Sequence, residues 1–214
     1  MAPPMTWHLN ILPPLQRNLW EKRLQHGMKS WVLYGGTALA LQLGHRTSVD
    51  FDFFSSSPFD PLNLKQSMGW TGEILQAERN TLTLIQEGVK LSFFGRLSLG
   101  VIAPPLTLDS CSIASLEDLA GCKLAALINR VELKDYLDIV ALLHHGYSLS
   151  HLLGCANAIY HGQFPISVCL KSLAWFEDPA LKDLSTSDKR LLEQSIASTE
   201  AIPTIPLLNK QIGT

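Results

Sequence analysis

The spacing of apolar and polar positions changes several times along the chain, and each change predicts an element. Residues 15–28 carry apolar positions among Gln, Arg, Lys and Glu directly after Pro13-Pro14, the pattern of an opening amphipathic helix. Residues 31–34 are a short apolar run ending at Gly35-Gly36 and predict a buried strand, and 37–43 predict a short Ala/Leu helix stopped by Gly44. In 49–54 apolar and acidic residues alternate with the two-residue period of a second strand. Two or three further strands are predicted, at Glu73–Glu78, Thr81–Gln86 and Val89–Phe94, joined by the turn residues Arg79-Asn80 and Glu87-Gly88.

Pro104-Pro105 marks a change of composition. Beyond it nearly every segment has a helical period. One helix opens after Ser115, with Ser115-x-x-Asp118 as a capping box ahead of Leu119, Leu124, Leu127 and Ile128; others are predicted over 134–145, 148–160 and 187–198. The expectation is an α+β protein: a small antiparallel or mixed sheet with flanking helices in 1–103, then a helical domain in 104–214.

Composition narrows the class. Apolar residues are 46% of the 214, enough to supply a real core. A formal charge of −2 provides no global basic field, so a nucleic-acid partner would need a local patch. The four cysteines, Cys111, Cys122, Cys155 and Cys169, contain no CxxC pair and read as buried thiols in a reducing cytosol. Residues 1–7 lack the basic start and apolar run of a secretory leader, and no stretch approaches the ~20 apolar residues of a membrane span. A cytoplasmic protein with no membrane association is expected. The five tryptophans are scattered, as packing residues are, rather than grouped as a stacking platform.

Candidate chemistry centres on Asp50-Phe51-Asp52-Phe53. A strand places both carboxylates on one face and both rings on the other. Carboxylates so close raise each other's pKa unless a cation neutralises them, and Mg²⁺ favours one or two protein carboxylates together with phosphate and water. The alternative is a solvent-facing acidic pair that guards an edge strand. Gly35-Gly36-Thr37 lies 14 residues before Asp50 at a strand-to-helix turn, where glycine lets a phosphate approach backbone N–H groups; alone it reads equally as a tight turn.

Taken together, a strand ending in Gly-Gly, a short helix and a strand bearing Asp-apolar-Asp-apolar resemble the polymerase β-like nucleotidyltransferases. The string from Tyr34 to Phe54 is similar to the AbiEii/AbiGii toxin branch of that superfold. The resemblance implies that Gly35, Gly36 and Thr37 contact NTP phosphates, that Asp50 and Asp52 ligate Mg²⁺ or Mn²⁺, and that His45, Arg46 and Ser48 line the approach. On their own residues, His45-Arg46 also reads as a cation pair at a helix C-terminus, and Ser48 as a turn residue.

The second half adds candidates. Lys123 falls on the apolar stripe of Leu116, Leu119, Leu127 and Val131, where a lysine either needs a partner or snorkels its stem over apolar surface. Read as a lone cation serving phosphates, it would be replaceable by Met with no loss of stability. Asp135 and Asp138 share one face of the following helix, where acids also complement a helix dipole. Lys123 followed by Lys134-Asp135-Tyr136-Leu137-Asp138 again resembles the AbiEii branch, which implies that Lys123, Asp135 and, secondarily, Asp138 complete the active-site cleft from the helical domain. One departure stands out: the wider superfold takes a third carboxylate from a later strand, and Val89–Phe94 offers Ser92 there.

His144-His145, with His151 and Cys155 at i and i+4, have a spacing open to zinc, but no second close Cys/His pair accompanies them. The resemblance implies a metal-dependent nucleotidyltransferase of toxin–antitoxin or phage-defence type, with an NTP donor, an RNA or tRNA acceptor and an antitoxin protein. A small-molecule nucleotidyltransferase acting on aminoglycoside-like acceptors, and a non-catalytic NTP-binding module, are the alternatives.

Overall fold

The computed structural model describes residues 6–26, 28 and 30–213, and divides them into two compact units. One comprises the described residues of Met1–Leu99, Pro104–Ser115 and Gln211–Thr214; the other comprises Gly100–Ala103 and Leu116–Lys210. The five N-terminal residues, on which the reading of no leader largely rested, lie outside the described residues, as does position 27 of the first expected helix.

The first unit is built on a seven-stranded mixed sheet. Its strands are β1 (Val32–Tyr34), β2 (Asp50–Phe54), β3 (Glu73–Glu78), β4 (Thr81–Gln86), β5 (Val89–Phe94), β6 (Leu106–Leu108) and β7 (Cys111–Ile113), in the order β3-β4-β5-β2-β1-β7-β6. Strands β2 and β5 pair in parallel, as do β1 and β7, while the remaining pairs are antiparallel. The three strands β3 to β5 have the bounds expected from the sequence. Glu87 and Gly88 both take positive φ (53° and 80°), as a two-residue hairpin turn requires.

Helices α1 (Pro14–Lys22), α2 (Gly35–Leu43) and α3 (Pro61–Ser67) accompany this sheet. The opening helix is shorter than expected: after Lys22 the chain tightens into a 3-10 turn at Leu24–His26. The sheet's alternation produces the core. Leu33, Phe51, Phe53, Leu82, Leu84, Leu91 and Phe93 are fully buried, and Phe53 stacks on Phe93 at 5.2 Å between ring centroids. Burying each such side chain contributes roughly 1.5–3 kcal/mol. Trp20, Trp31 and Trp70 pack into the same core against Phe51 and Phe93, whereas Trp175 is exposed.

The boundary expected at 103/104 is too early. Strands β6 and β7 follow Pro104-Pro105 and belong to the sheet unit, which passes to the helical one at Leu116. Proline is tolerated there because β6 is an edge strand.

The second unit contains α4 (Leu116–Asn129), α5 (Leu133–His144), α6 (Leu149–Ile159), α7 (Ile166–Leu173) and α8 (Thr186–Ala197). Ser148 and Ser185 cap α6 and α8 by accepting from the N–H groups of His151 and Asp188. Leu119, Leu124, Leu127, Ile139, Leu142, Leu152 and Leu153 supply much of its core. Asp118 accepts from the backbone N–H of Ile102 at 2.8 Å. Among the described residues no helix is long and apolar enough to cross a membrane.

Candidate active site

Strand β1 runs straight into α2, and the junction is Gly35 with φ +73°. That left-handed backbone favours glycine. A β-carbon on Gly35 would run into the carboxylate of Asp52, and one on Gly36 would meet the Arg46 guanidinium and, at 3.1 Å, the Ser48 hydroxyl. The two glycines therefore let Asp52, Arg46 and Ser48 close around the N-terminus of α2, where backbone N–H groups favour an anion.

Strand register fixes the rest of that face. Tyr34 pairs with Asp52 across β1 and β2, while Asp50 and Asp52 pair with Lys90 and Ser92 across β2 and β5. Asp50 and Asp52 are half-buried on the face opposite the fully buried rings of Phe51 and Phe53, as the alternation predicted. Strand β2 lies in the middle of the sheet, so the edge-guarding reading of the acidic pair is set aside. Lys90 Nζ lies 3.7 Å from Asp50 Oδ2, and Ser92 is buried beside Asp52.

Thr37 has a different surrounding from the one its carried-over role implies. It is buried, and its hydroxyl donates to the backbone carbonyl of Asp50. The buried Gln16 amide donates to that carbonyl at 3.3 Å and to the Thr37 hydroxyl at 3.4 Å. These bonds tie α1, α2 and β2 together beneath Asp50. Gln16 was missed by sequence reasoning because a Gln within an amphipathic helix carries no signal of facing inward. Arg46 Nη1 donates to the Thr47 carbonyl at 3.0 Å, and His45 is half-buried beside it in sequence.

In the helical unit, Lys123 on α4 meets both candidate acids of α5. Its Nζ lies 3.1 Å from Asp135 Oδ1 and 2.6 Å from Asp138 Oδ2, and all three side chains are buried. Arg130 Nε donates to the other oxygen of Asp135 at 3.0 Å. The expectation of a lone cation on an apolar stripe is thus corrected. Lys123 is the hub of a buried ion-pair network, because an ammonium taken out of water requires compensating charge.

Of the zinc-spaced residues, His151 and Cys155 come together with Glu117, their candidate ligand atoms within 4.8 Å of one another. His151 Nε2 lies 3.1 Å from Glu117 Oε1, with the buried Cys155 close by; His144 and His145 are not part of this group. All four cysteines are free, and burial pushes the thiols of Cys111, Cys155 and Cys169 up to about 12. A surface cavity of about 660 Å³ lies elsewhere on the first unit, lined by residues including Pro58, Phe59, Glu78 and Asn80; it contains none of the candidate site residues.

Residues 19–205 match the family described as "Nucleotidyl transferase AbiEii toxin, Type IV TA system". The chain belongs to the AbiEii family. It is also 33% identical over 170 residues to an uncharacterized protein of Aquifex aeolicus (strain VF5), a match covering 76% of this chain and 82% of the relative. AbiEii membership covers most of the chain, including both the Asp50/Asp52 strand and the Lys123 network, and the mixed α+β architecture is consistent with a nucleotidyltransferase fold. It implies a nucleotidyltransferase toxin of a type IV toxin–antitoxin system, and with it an antitoxin counterpart.

Proposed function

We propose that this protein transfers a nucleotide from an NTP, held with Mg²⁺ or Mn²⁺, to an RNA acceptor such as the 3′ end of a tRNA. The observation that carries this reading is the same-face pair Asp50 and Asp52, beside a glycine turn shaped around the Asp52 carboxylate. The donor set suits a hard divalent cation, since it offers carboxylate oxygens and no sulfur or imidazole.

Asp50 and Asp52 would hold the ion. When bound, it neutralises phosphate charge and aligns the attacking and leaving oxygens. Gly35 and Gly36 allow the phosphates to approach the N-terminal N–H groups of α2, and Arg46 and Ser48 beside Gly36 suit a charged and a neutral phosphate contact. The acceptor hydroxyl oxygen bonds to the α-phosphorus as the bond to the bridging oxygen breaks, so that pyrophosphate leaves. The hydroxyl proton would pass to Asp52, on the face that holds the ion; both oxygens of Asp135 engage Lys123 and Arg130. Lys123, Asp135 and Asp138 serve the same reaction by holding α4 and α5 in register.

A second reading, NTP binding without transfer, is favoured by the absence of an acid at Lys90 and Ser92. Incubating the protein with each labelled NTP, Mg²⁺ and either total cellular RNA or an aminoglycoside separates the readings. Label on RNA, lost in Asp50→Asn and Asp52→Asn, is expected. Label on aminoglycosides alone would point to a small-molecule enzyme, and nucleotide binding with no pyrophosphate released would point to a binding module.

A further inference from the structure

We infer that Lys90 stands in the place of a second divalent cation, so that this centre works with one metal ion. The inference rests on the metal-and-nucleotide reading above and specifies its stoichiometry.

Parallel pairing of β2 with β5 sets Lys90 directly beside Asp50 and Ser92 directly beside Asp52, with side chains on one face. Continuing outward to β4, Lys90 is followed by Ile85 and Ser92 by Thr83. On β5 and β4 the face therefore presents an ammonium, two hydroxyls and an aliphatic group at these positions and no carboxylate; the next carboxylate along the Asp50 row is Glu73, out on β3. Lys90 Nζ lies 3.7 Å from Asp50 Oδ2, and its side chain is 43% exposed, so its charge is available to this face.

Two ions that serve one in-line displacement sit ~3.5–4 Å apart and are drawn together by shared carboxylates. A second ion drawn to the Asp50 carboxylate would meet the Lys90 ammonium as a like charge, since Nζ already lies 3.7 Å from Asp50 Oδ2. Ser92 thus withholds the ligand a second ion needs, and Lys90 supplies a fixed positive charge in that ion's stead.

Mn²⁺ bound per chain is counted by equilibrium dialysis, as the excess of metal on the protein side over the side holding the α,β-methylene analogue of ATP, GTP, CTP or UTP alone, and Mn–Mn coupling is read from the EPR spectrum of the protein side. The wild-type chain is expected to bind one Mn²⁺ with no Mn–Mn coupling. Lys90→Glu is expected to bind two, with the broadened spectrum of a coupled pair, and melting curves check that it folds. Two coupled ions on the wild-type chain overturn the inference alone. One ion on both proteins also overturns it, since Lys90 would not be what limits the count. No saturable Mn²⁺ binding with any analogue overturns the metal-and-nucleotide reading, and this inference with it.

Discussion

The carboxylate of Asp52 occupies the space that a β-carbon on Gly35 would need. Gly35 also has φ +73°, so alanine there is opposed twice, by backbone strain and by a side chain that must move. Gly35→Ala is expected to lose about 1–3 kcal/mol of stability and to abolish metal-dependent nucleotide binding. Gly69→Ala is the control: it has φ +60° but nothing within 4 Å of the added carbon. It should cost stability by strain alone and leave binding intact. Calorimetric titration and thermal melting of both variants test the comparison, and wild-type nucleotide affinity in Gly35→Ala would remove Asp52 from the binding centre.

Lys123→Met should be strongly destabilising. Removing the ammonium leaves two buried carboxylates, Asp135 and Asp138, without the Lys123 charge they share, with Arg130 still on Asp135; breaking a buried pair typically costs about 3–5 kcal/mol. Lys123→Met combined with Asp138→Asn removes one of the stranded charges and should recover part of the loss. Urea unfolding of the single and double variants measures this. A single variant as stable as wild type would restore the lone-cation view of Lys123.

How far the sequence foretold this arrangement depended on the range of the interaction. The strand Asp50–Phe54 was legible because its alternation is local, and Glu73–Glu78 to Val89–Phe94 because their turns are short and polar. Strands β6 and β7 were not: three residues each show no period, and the Pro-Pro pair ahead of them reads as a break although it enters an edge strand. Helix α3 carried a local signal that went unread, Asp60 as N-cap followed by Pro61 at the first position. The pairing of Lys123 with Asp135 and Asp138 depends on which faces of α4 and α5 meet, which helical period leaves open. The register that puts Lys90 beside Asp50 is likewise a tertiary fact.

Thr37 offers a test of positioning against ligation. Its hydroxyl donates to the Asp50 carbonyl, so it holds the strand beneath the proposed metal ligand. Thr37→Val is expected to lose about 0.5–1.5 kcal/mol, the net worth of a typical hydrogen bond, and to weaken Mn²⁺ binding through displacement of Asp50. Thr37→Ser keeps the hydroxyl and should bind as the wild type does. If Thr37→Val bound Mn²⁺ normally but lost affinity only for the triphosphate, the threonine would be a phosphate ligand after all.

The buried thiols give the protein an alkaline limit whose sign follows from their protonation. Cys155 is raised from 9.0 to about 12 by burial first and then by Glu117 and Asp118; Cys169 is raised to about 12 by burial; and Cys111 to about 12 by burial and Asp109. Below pH 9 each thiol is protonated whether folded or unfolded, so it contributes no pH dependence. Between 9 and about 12 the unfolded chain releases protons that the folded chain retains, and stability falls as pH rises, by up to about 1.4 kcal/mol per pH unit for each thiol. Above about 12 both states are deprotonated and the loss levels off. The expected outcome is a melting temperature insensitive to these groups from pH 7 to 8.5 and falling steeply above 9.5, with the slope reduced in Cys169→Ala, which removes one such group. Native-state reaction with a thiol reagent at pH 8 should be slow for Cys111, Cys155 and Cys169 and fast once the protein is unfolded in urea. Rapid labelling of all three in the folded protein would show that these thiols are not held in their buried, protonated form.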